Sequence, residues 1–341
     1  MSASGSRWPF GLVPGNIGAM RTSLVMPTWN AGPLLDEVLE SVLALRGTRF
    51  DELCAVDSGS TDGTQERLRD AGFQVEVIPQ REFDHGSTRD RGIRATTGDV
   101  VVLLVQDATL VGEDWLAKML AGFDAPDVAG VWCRQIPRPN CQPVLDRRIR
   151  GWPGRGEVLS KRQLEPGQAL GDLEPFDRLM HSAFDNVASA VRRSVWERFP
   201  LGPRRFGEDV YFGKRCIEAG LAIAHQGAAC VVHSHDRSAW SEGKRTFCDH
   251  RNLHGLFGLV GIRDRAALKG ALEHSTKEHC DYVKGLGLPS DAEAAAIEWT
   301  RAYCKWQCWG QYLGAKAGAE PAGLKGVFFR WLGRRLERGI G

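Results

Sequence analysis

The chain has 341 residues, 43% hydrophobic and 25% charged, which is the make-up of an ordinary soluble globular protein and suits one enlarged domain or two. Its formal charge of +2 excludes a global nucleic-acid signature. Nine scattered cysteines in a chain too large to need staples predict reduced thiols in a cytosolic protein, and no apolar run approaches the ~20 residues of a membrane helix.

Residues 1–20 lack a signal-peptide core and read as a loose Gly/Pro/Ser-rich leader. TSLVMP (22–27) is a β-rich run that stops at Pro27. A helix follows, with Leu35, Val38, Leu39, Val42 and Leu43 on one face and Gly47 as its stop signal. DELCAVD (51–57) is the next strand, a helix starts near Asp62, and FQVEVIP (73–79) is a third strand. The pattern predicts a helix over 86–98 closed by Gly98, a strand over 99–107, a helix over 112–123 and a strand over 127–135. The stretch 136–180, rich in Pro, Gly and Arg, reads as a long irregular segment of the kind that serves as a lid or binding loop. Order returns over 184–199, a helix over 207–220 ends at Gly220, and 221–233 reads as a hairpin or two short strands. From about Trp240 the pattern is helical to the end.

Strands alternating with helices indicate βαβ units and a parallel sheet, and nearly all-apolar strands indicate cover on both faces. Ligands of such sheets bind outside the carboxyl ends of the strands. That rule selects Thr28, Asp57, the Arg81–His85 region and Gln106-Asp107.

Each candidate has two readings. Asp57, in AVDSGSTDGT, can accept from a base N–H or ribose hydroxyl, or serve only an Asx turn. Asp107 at the fourth strand's tip can hold a divalent ion against a diphosphate, since Mg²⁺ commonly uses one or two protein carboxylates, or it can be a turn residue. Glu208-Asp209 opens a helix, where the macrodipole favours carboxylates and where a general base could also stand. His233 and His235 follow the last strand, and imidazole suits Mn²⁺ better than Mg²⁺. Cys304 and Cys308, one helical turn apart among tryptophans, read as core, because no C-x₂-C pair supports a zinc site. Residues 321–341 carry Lys325, Arg330, Arg334, Arg335 and Arg338 against one acid, Glu337, with Val327, Phe328, Phe329, Trp331 and Leu332 among them. This segment reads equally as a basic amphipathic helix on an anionic membrane surface or as a terminal helix packing its aromatic face.

The ordered set SLVMPTWNAG, AVDSGSTDGT, a strand ending in one Asp, GED before a helix and a strand ending in His resembles the inverting family-2 glycosyltransferases. More narrowly, FDHGSTRDRGIRATTGD, LLVQDATL, GVWCRQIPRPN and FGEDVYFGKR are similar to bacterial rhamnosyltransferases of cell-surface polysaccharide assembly. The resemblance covers about residues 22–240. It implies an α/β chain of GT-A (Rossmann-like) fold: a mostly parallel sheet flanked by helices over 21–238, with a helical C-terminal extension over 239–341. By matching motif, it implies that Thr28, Asp57, Arg89 and Gln106 line the nucleotide site. Asp107 is then the surviving metal carboxylate, His233 completes the metal shell with His235 as second choice, and Asp209 is the catalytic base with Glu208 beside it. The implied cofactors are Mg²⁺ or Mn²⁺ and a dTDP-, UDP- or GDP-sugar, and the implied acceptor is a glycan or lipid-linked glycan. No nucleic-acid partner is expected. A homo-oligomer and peripheral contact with the inner face of the cytoplasmic membrane stay open. The sequence departs from the family at Asp90, where Asn is more usual, and a carboxylate there would repel a diphosphate unless it points away. The rivals are a nucleotidyltransferase, disfavoured because PTWNAG is neither Gly-rich nor basic, and a catalytically silent binding protein of the same fold.

Overall fold

The computed structural model describes residues 20–151, 154, 156–320 and 322–337. Of the expected leader only Met20 is among them, and Arg338 of the basic terminus lies outside them. The chain divides into two compact units, one built on a sheet and one on helices.

The sheet unit opens with β1 (Thr22–Thr28), α1 (Leu34–Leu43), β2 (Glu52–Asp57), α2 (Thr64–Asp70), β3 (Gln74–Val77) and α3 (His85–Arg94). It continues with β4 (Val100–Leu104), β5 (Thr109–Leu110), α4 (Trp115–Ala121) and β6 (Val128–Ile136). After α5 (Pro143–Gly151) come β7 (Leu159–Arg162) and α6 (Pro175–Ser182), of which α5 and most of α6 belong to the helical unit. Then follow β8 (Ala188–Arg192), α7 (Arg193–Arg198), α8 (Glu208–Glu218) and β9 (Ala222–Val232). The nine strands form one sheet in the order β3-β2-β1-β4-β8-β6-β9-β5, with β7 paired to β9.

From β3 to β4 every pairing is parallel, as the βαβ alternation demands. Beyond β4 the sheet is mixed: β8 runs antiparallel to both β4 and β6, whereas β6 and β9 are parallel. The direction of a strand leaves no trace in its own apolar run, so ASAVR, buried at every position, gives no sign of the reversal. The core lies on the sheet faces: Leu24, Met26, Val100, Val102 and Leu104 meet Leu35 and Val38 of α1 and Trp115, Leu116 and Met119 of α4.

Several boundaries differ from the sequence reading. β1 continues through Pro27 to Thr28, because its pairing with β4 ends at Val25 and the proline's missing donor falls where the strand is paired on one side only. The predicted helix over 86–98 ends at Arg94 rather than at Gly98. The Glu52 carboxylate accepts from Thr97 N–H (2.7 Å) and Thr97 Oγ1 (2.7 Å), which pulls the chain out of the helix towards β4. The supposed hairpin over 221–233 is the single strand β9, with a bulge that skips from Gln226 to Cys230 against Cys133 and Arg134. Gln226 Oε1 accepts the Ala228 N–H inside that bulge (3.3 Å), so a local turn-like bond imitates a hairpin signal within a continuous strand. The stretch 136–180 is not one irregular loop: it holds α5, β7 and α6, whose few apolar residues among arginines and prolines were too sparse for a periodic signal.

The helical unit comprises α5, most of α6 and, from Ser234 onward, α9 (Ala239–Phe257), α10 (Arg265–Lys284), α11 (Ser290–Gly318) and α12 (Gly323–Leu336). Val144 and Leu145 of α5 pack with Ala239, Val283, Ala296, Tyr303 and Cys304. Cys304 and Cys308 are buried core residues, as read, and all nine cysteines are free thiols. Among the described residues no helix is long and apolar enough to cross a membrane. In α12, Gly326, Gly333 and Leu336 are buried, Glu337 beyond its end pairs with Arg251 of α9, and Leu324, Val327, Phe328 and Trp331 stay exposed.

Candidate active site

The parallel pairing of β1 and β2 sets Thr28 opposite Asp57 at their carboxyl ends. Asp57 is fully buried. Its Oδ1 accepts from the N–H groups of Gly59 (3.1 Å) and Ser60 (2.8 Å) and from Gln65 Nε2 (2.8 Å). Its Oδ2 accepts from Thr28 Oγ1 (2.9 Å) and Ser60 Oγ (2.6 Å). Five donors fill the roughly four lone-pair positions of a carboxylate. Asp57 therefore builds the turn, and Thr28 is bonded to it. The same loop is strapped to the end of β1: Asn30 N–H donates to Ser60 Oγ (2.8 Å), and Asn30 Oδ1 accepts from Thr61 N–H (2.9 Å). Gln106 closes the other side, its Oε1 accepting from Trp29 N–H (2.8 Å) and its Nε2 donating to Trp29 O (3.1 Å). These bonds hold the β1, β2 and β4 ends as one rigid rim.

β4 stops at Leu104, and Gln106 and Asp107 stand in the turn before β5. β5 pairs antiparallel with the end of β9, Thr109 opposite Val232, which brings that turn beside His233. His233 Nε2 lies 3.6 Å from Asp107 Oδ1. His235 follows two residues along the same stretch of chain, and one ligand atom from each of Asp107, His233 and His235 lies within 4.8 Å of the others. The 3.6 Å separation is too long for a hydrogen bond and suits two ligands of one ion. One carboxylate and two imidazoles favour Mn²⁺ or another transition ion over Mg²⁺. The second ring nitrogen supports the same use: His233 Nδ1 meets Gln135 Oε1 at 2.9 Å, the outer bond that orients a metal-binding imidazole. Among the described residues this is the sole cluster of three such ligands.

Gly207, in the left-handed conformation (φ 67°), turns the chain into α8 and sets Glu208 and Asp209 in its first turn. Glu208 is buried and forms an ion pair with the equally buried Arg89 of α3 at 3.0 Å, while Asn186 Nδ2 donates to Glu208 Oε1 (3.2 Å). Burial alone would raise the Glu208 carboxyl, but the charges of Arg89 and His85 and the Asn186 bond outweigh it and hold it below its ordinary value. Asp209 goes the other way: burial, then the charges of Glu208 and Asp185, push its carboxyl well above the ordinary range. Two adjacent acids thus have opposite tuning, one held below and one pushed above the ordinary carboxyl range. α3 packs so closely on the segment entering α8 that a Cβ on Gly86 would sit 2.0 Å from Gly202 O and 3.4 Å from Glu208 Cβ.

Arg89 lies against Glu208 and His85 O (3.1 Å) rather than at an open strand end. Asp90 points away from the rim: Oδ1 accepts from Trp196 Nε1 (2.6 Å) and Leu201 N–H (3.0 Å), and Oδ2 from Gly202 N–H (2.9 Å). Its carboxylate anchors the segment leading to α8.

Sequence reasoning missed Gln135, Asp185 and Asn186. Gln135 joins His233 to Asp185, whose Oδ2 accepts from Gln135 Nε2 and whose Oδ1 accepts from Val187 N–H (2.9 Å). Burial raises the Asp185 carboxyl, against the lowering effect of those two bonds. The available signal was the polar pair Asp185-Asn186 entering an otherwise apolar strand, together with Gln135 at the carboxyl end of β6.

Comparison with known proteins gives a consistent result. The family described as Glycosyl transferase family 2 matches residues 23–186. An O-antigen chain rhamnosyltransferase of Salmonella typhimurium is 31% identical over 234 residues, covering 67% of this chain and 71% of that protein. One from Salmonella anatum is 30% identical over 229 residues, covering 66% and 70%. Among solved structures, a mannosyltransferase from Pyrobaculum calidifontis in complex with GDP-Man and Mn²⁺ is similar at a TM-score of 0.46 and 18% identity, covering 97% of this chain and 84% of that one.

Proposed function

The chain belongs to glycosyl transferase family 2 and is a glycosyltransferase, and from that premise we propose that it moves L-rhamnose from dTDP-rhamnose to a hydroxyl of a glycan or lipid-linked glycan, with inversion at the anomeric carbon. The sugar and the acceptor class rest on the similarity to the two Salmonella O-antigen chain rhamnosyltransferases. The observation that carries the chemistry is the head of α8, where Glu208 is paired with Arg89 at 3.0 Å and Asp209 stands beside it without that cation, its carboxyl raised by burial and by the neighbouring acids.

Asp209 takes the proton of the acceptor hydroxyl. The acceptor oxygen forms its bond to the anomeric carbon as the bond to the diphosphate oxygen breaks, its electron pair leaving on the diphosphate. A single displacement from the opposite face inverts configuration. A raised carboxyl pKa makes Asp209 a better base for a hydroxyl proton. Glu208 stays ionised against Arg89 and holds the start of α8 in register with α3. Asp107, His233 and His235 would hold a divalent ion, which when bound neutralises charge on the diphosphate leaving group. The rim built by Thr28, Asp57 and Gln106 receives the nucleoside, with the Asp57 turn and the clamped Trp29 peptide as its rigid walls.

Three measurements test this reading. A thermal-shift panel of dTDP-, UDP- and GDP-sugars with Mn²⁺ should give its largest rise with the dTDP-sugar, and no shift with any of them would reject the donor class. Asp209→Asn should abolish transfer while leaving donor binding intact, and near-normal turnover in that variant would reject the base. Asp107→Ala should remove the response to Mn²⁺ together with activity. A nucleotidyltransferase would instead release pyrophosphate from a nucleoside triphosphate.

The partner surface belongs to α12. Leu324, Val327, Phe328 and Trp331 recur at helical spacing and are 89%, 55%, 50% and 48% exposed. Lys325, Arg330, Arg334 and Arg335 flank them, and the nearby acid Glu337 is engaged by Arg251. An exposed apolar stripe with cationic flanks suits the surface of an anionic bilayer, where a lipid-linked acceptor would reside. The protein should co-sediment with phosphatidylglycerol vesicles and not with phosphatidylcholine vesicles. Phe328→Glu with Trp331→Glu should release it, and retention by both vesicle types would reject the surface.

A further inference from the structure

We propose that Asp185 is a positioning residue that, through the amide of Gln135, fixes which ring nitrogen of His233 carries the proton and so holds Nε2 ready to bind a divalent cation. The inference rests on the reading of Asp107, His233 and His235 as a cation site. It goes beyond that reading by assigning roles to two residues that touch neither substrate nor cation.

The argument runs outward from the backbone. Val187 N–H can only donate, and Asp185 Oδ1 accepts it at 2.9 Å. An ionised Asp185 can only accept at its other oxygen, Oδ2, so the Gln135 amide must present its NH₂ there, as it does. An amide has one NH₂ end and one oxygen end. With the NH₂ committed to Asp185, the oxygen faces His233 Nδ1 at 2.9 Å. An oxygen cannot donate, so Nδ1 must carry the hydrogen. Nε2 then keeps its lone pair on the side of Asp107 Oδ1, 3.6 Å away. Two acceptors facing each other at that distance repel unless a cation stands between them. The polarity of the whole chain is therefore set at the ionised Asp185 carboxylate, which the peptide N–H of Val187 holds in place just before β8.

The placement of these groups is also a product of the sheet. Gln135 lies near the end of β6, which pairs in parallel with β9, and His233 N–H donates to Ile136 O at 2.9 Å. Asp185 stands just before β8, on the other side of β6. Three neighbouring strands thus deliver one residue each to a single line of hydrogen bonds. Such outer-shell partners typically change metal affinity by about 10- to 100-fold when removed.

The same logic makes Asp185→Asn a reversal rather than a simple deletion. The Val187 N–H still requires an acceptor, so the asparagine oxygen takes the Oδ1 place and its NH₂ takes the Oδ2 place. Gln135 must then turn its oxygen to Asn and its NH₂ to His233 Nδ1, which must now accept. The proton moves to Nε2, where it blocks the cation.

The test reads the tautomer directly, without metal, from multiple-bond ¹H–¹⁵N correlation spectra of the full-length protein labelled at histidine. Spectra are taken at pH 8, above the ordinary histidine pKa of about 6.5. His233→Gln serves to assign the signals. His233 should be Nδ1–H in the wild type and Nε2–H in Asp185→Asn, and Mn²⁺ affinity by calorimetry should fall about 10- to 100-fold. Gln135→Met, which keeps the side-chain length and removes both bonds, should give mixed tautomers and an intermediate loss of Mn²⁺ affinity. It also carries the test if Asp185→Asn fails to show a cooperative melt. An Nε2–H wild type, or an unchanged His233 pattern in both variants, overturns the proposal. Tautomers as described in wild type and variants, with no Mn²⁺ binding by the wild type, reject the cation site and leave the relay standing. Normal Mn²⁺ binding with an unresponsive tautomer does the reverse.

Discussion

Asp90→Asn separates two views of a carboxylate in the segment before β4. If Asp90 faced the donor diphosphate, removing its charge would strengthen donor binding. The structure gives it another task. Its two oxygens accept three hydrogens, from Trp196 Nε1 (2.6 Å), Leu201 N–H (3.0 Å) and Gly202 N–H (2.9 Å). Asparagine matches the shape but has one oxygen. Placed at Oδ1, that oxygen keeps Trp196 and Leu201 and turns an NH₂ towards the Gly202 N–H, donor against donor. The variant loses one charge-assisted bond outright and weakens two more, each worth about 1.5 to 3 kcal/mol. A net loss of about 2 to 4 kcal/mol follows, since the remaining two keep part of their strength. At about 2 to 4 °C per kcal/mol for a unit of this size, the melting temperature should fall by roughly 4 to 16 °C. The segment anchored by Asp90 runs to Gly207 and α8, so turnover should also fall while donor affinity stays level. Scanning fluorimetry and a donor titration read both quantities. An unchanged melting temperature with tighter donor binding would refute the assignment.

Arg89→Met leaves the buried Glu208 carboxylate without its cation, which should cost about 3 to 5 kcal/mol in chemical denaturation, and a loss under 1 kcal/mol would contradict the pairing. Glu52 is held at about 2: burial would raise it, but bonds from Ser23 and Thr97 and the charge of Arg21 prevail. Its folded pKa lies below the unfolded value of about 4.3, so its stabilisation is present above that pH and is lost as pH falls towards 2. Glu52→Gln should therefore flatten the decline of melting temperature across that window, and an unaltered decline would count against it. The acid limit of kcat/KM should lie above about 3.9, the ordinary aspartate value, because burial and the charges of Glu208 and Asp185 raise Asp209; a limit at or below that value would reject Asp209 as the base. Gln106→Met frees the Trp29 peptide from its amide clamp and should raise donor KM several-fold with kcat within about twofold, whereas the reverse split would place Gln106 in the chemical step.

The alternating half of the sheet, the strand-tip carboxylates and the acidic start of α8 were legible because each depends on local order. A period of two or of 3.6 residues, a glycine at a turn and a carboxylate ending an apolar run are all properties of neighbouring residues. Those features led to Asp57, Asp107, Glu208-Asp209 and His233, and the ordered set of motifs led to the family. The tertiary structure decided what each residue touches. Asp57 is saturated by its own turn, Arg89 pairs with Glu208, and Asp90 faces a tryptophan over a hundred residues away. The reversed β8, the bulge that makes 222–232 one strand, and the line from His233 through Gln135 to Asp185 arise from residues far apart in sequence. A side chain's hydrogen-bond partner is set by which strands become neighbours and in which direction they run. That choice is made by the burial of the whole sheet, and no local window of sequence contains it.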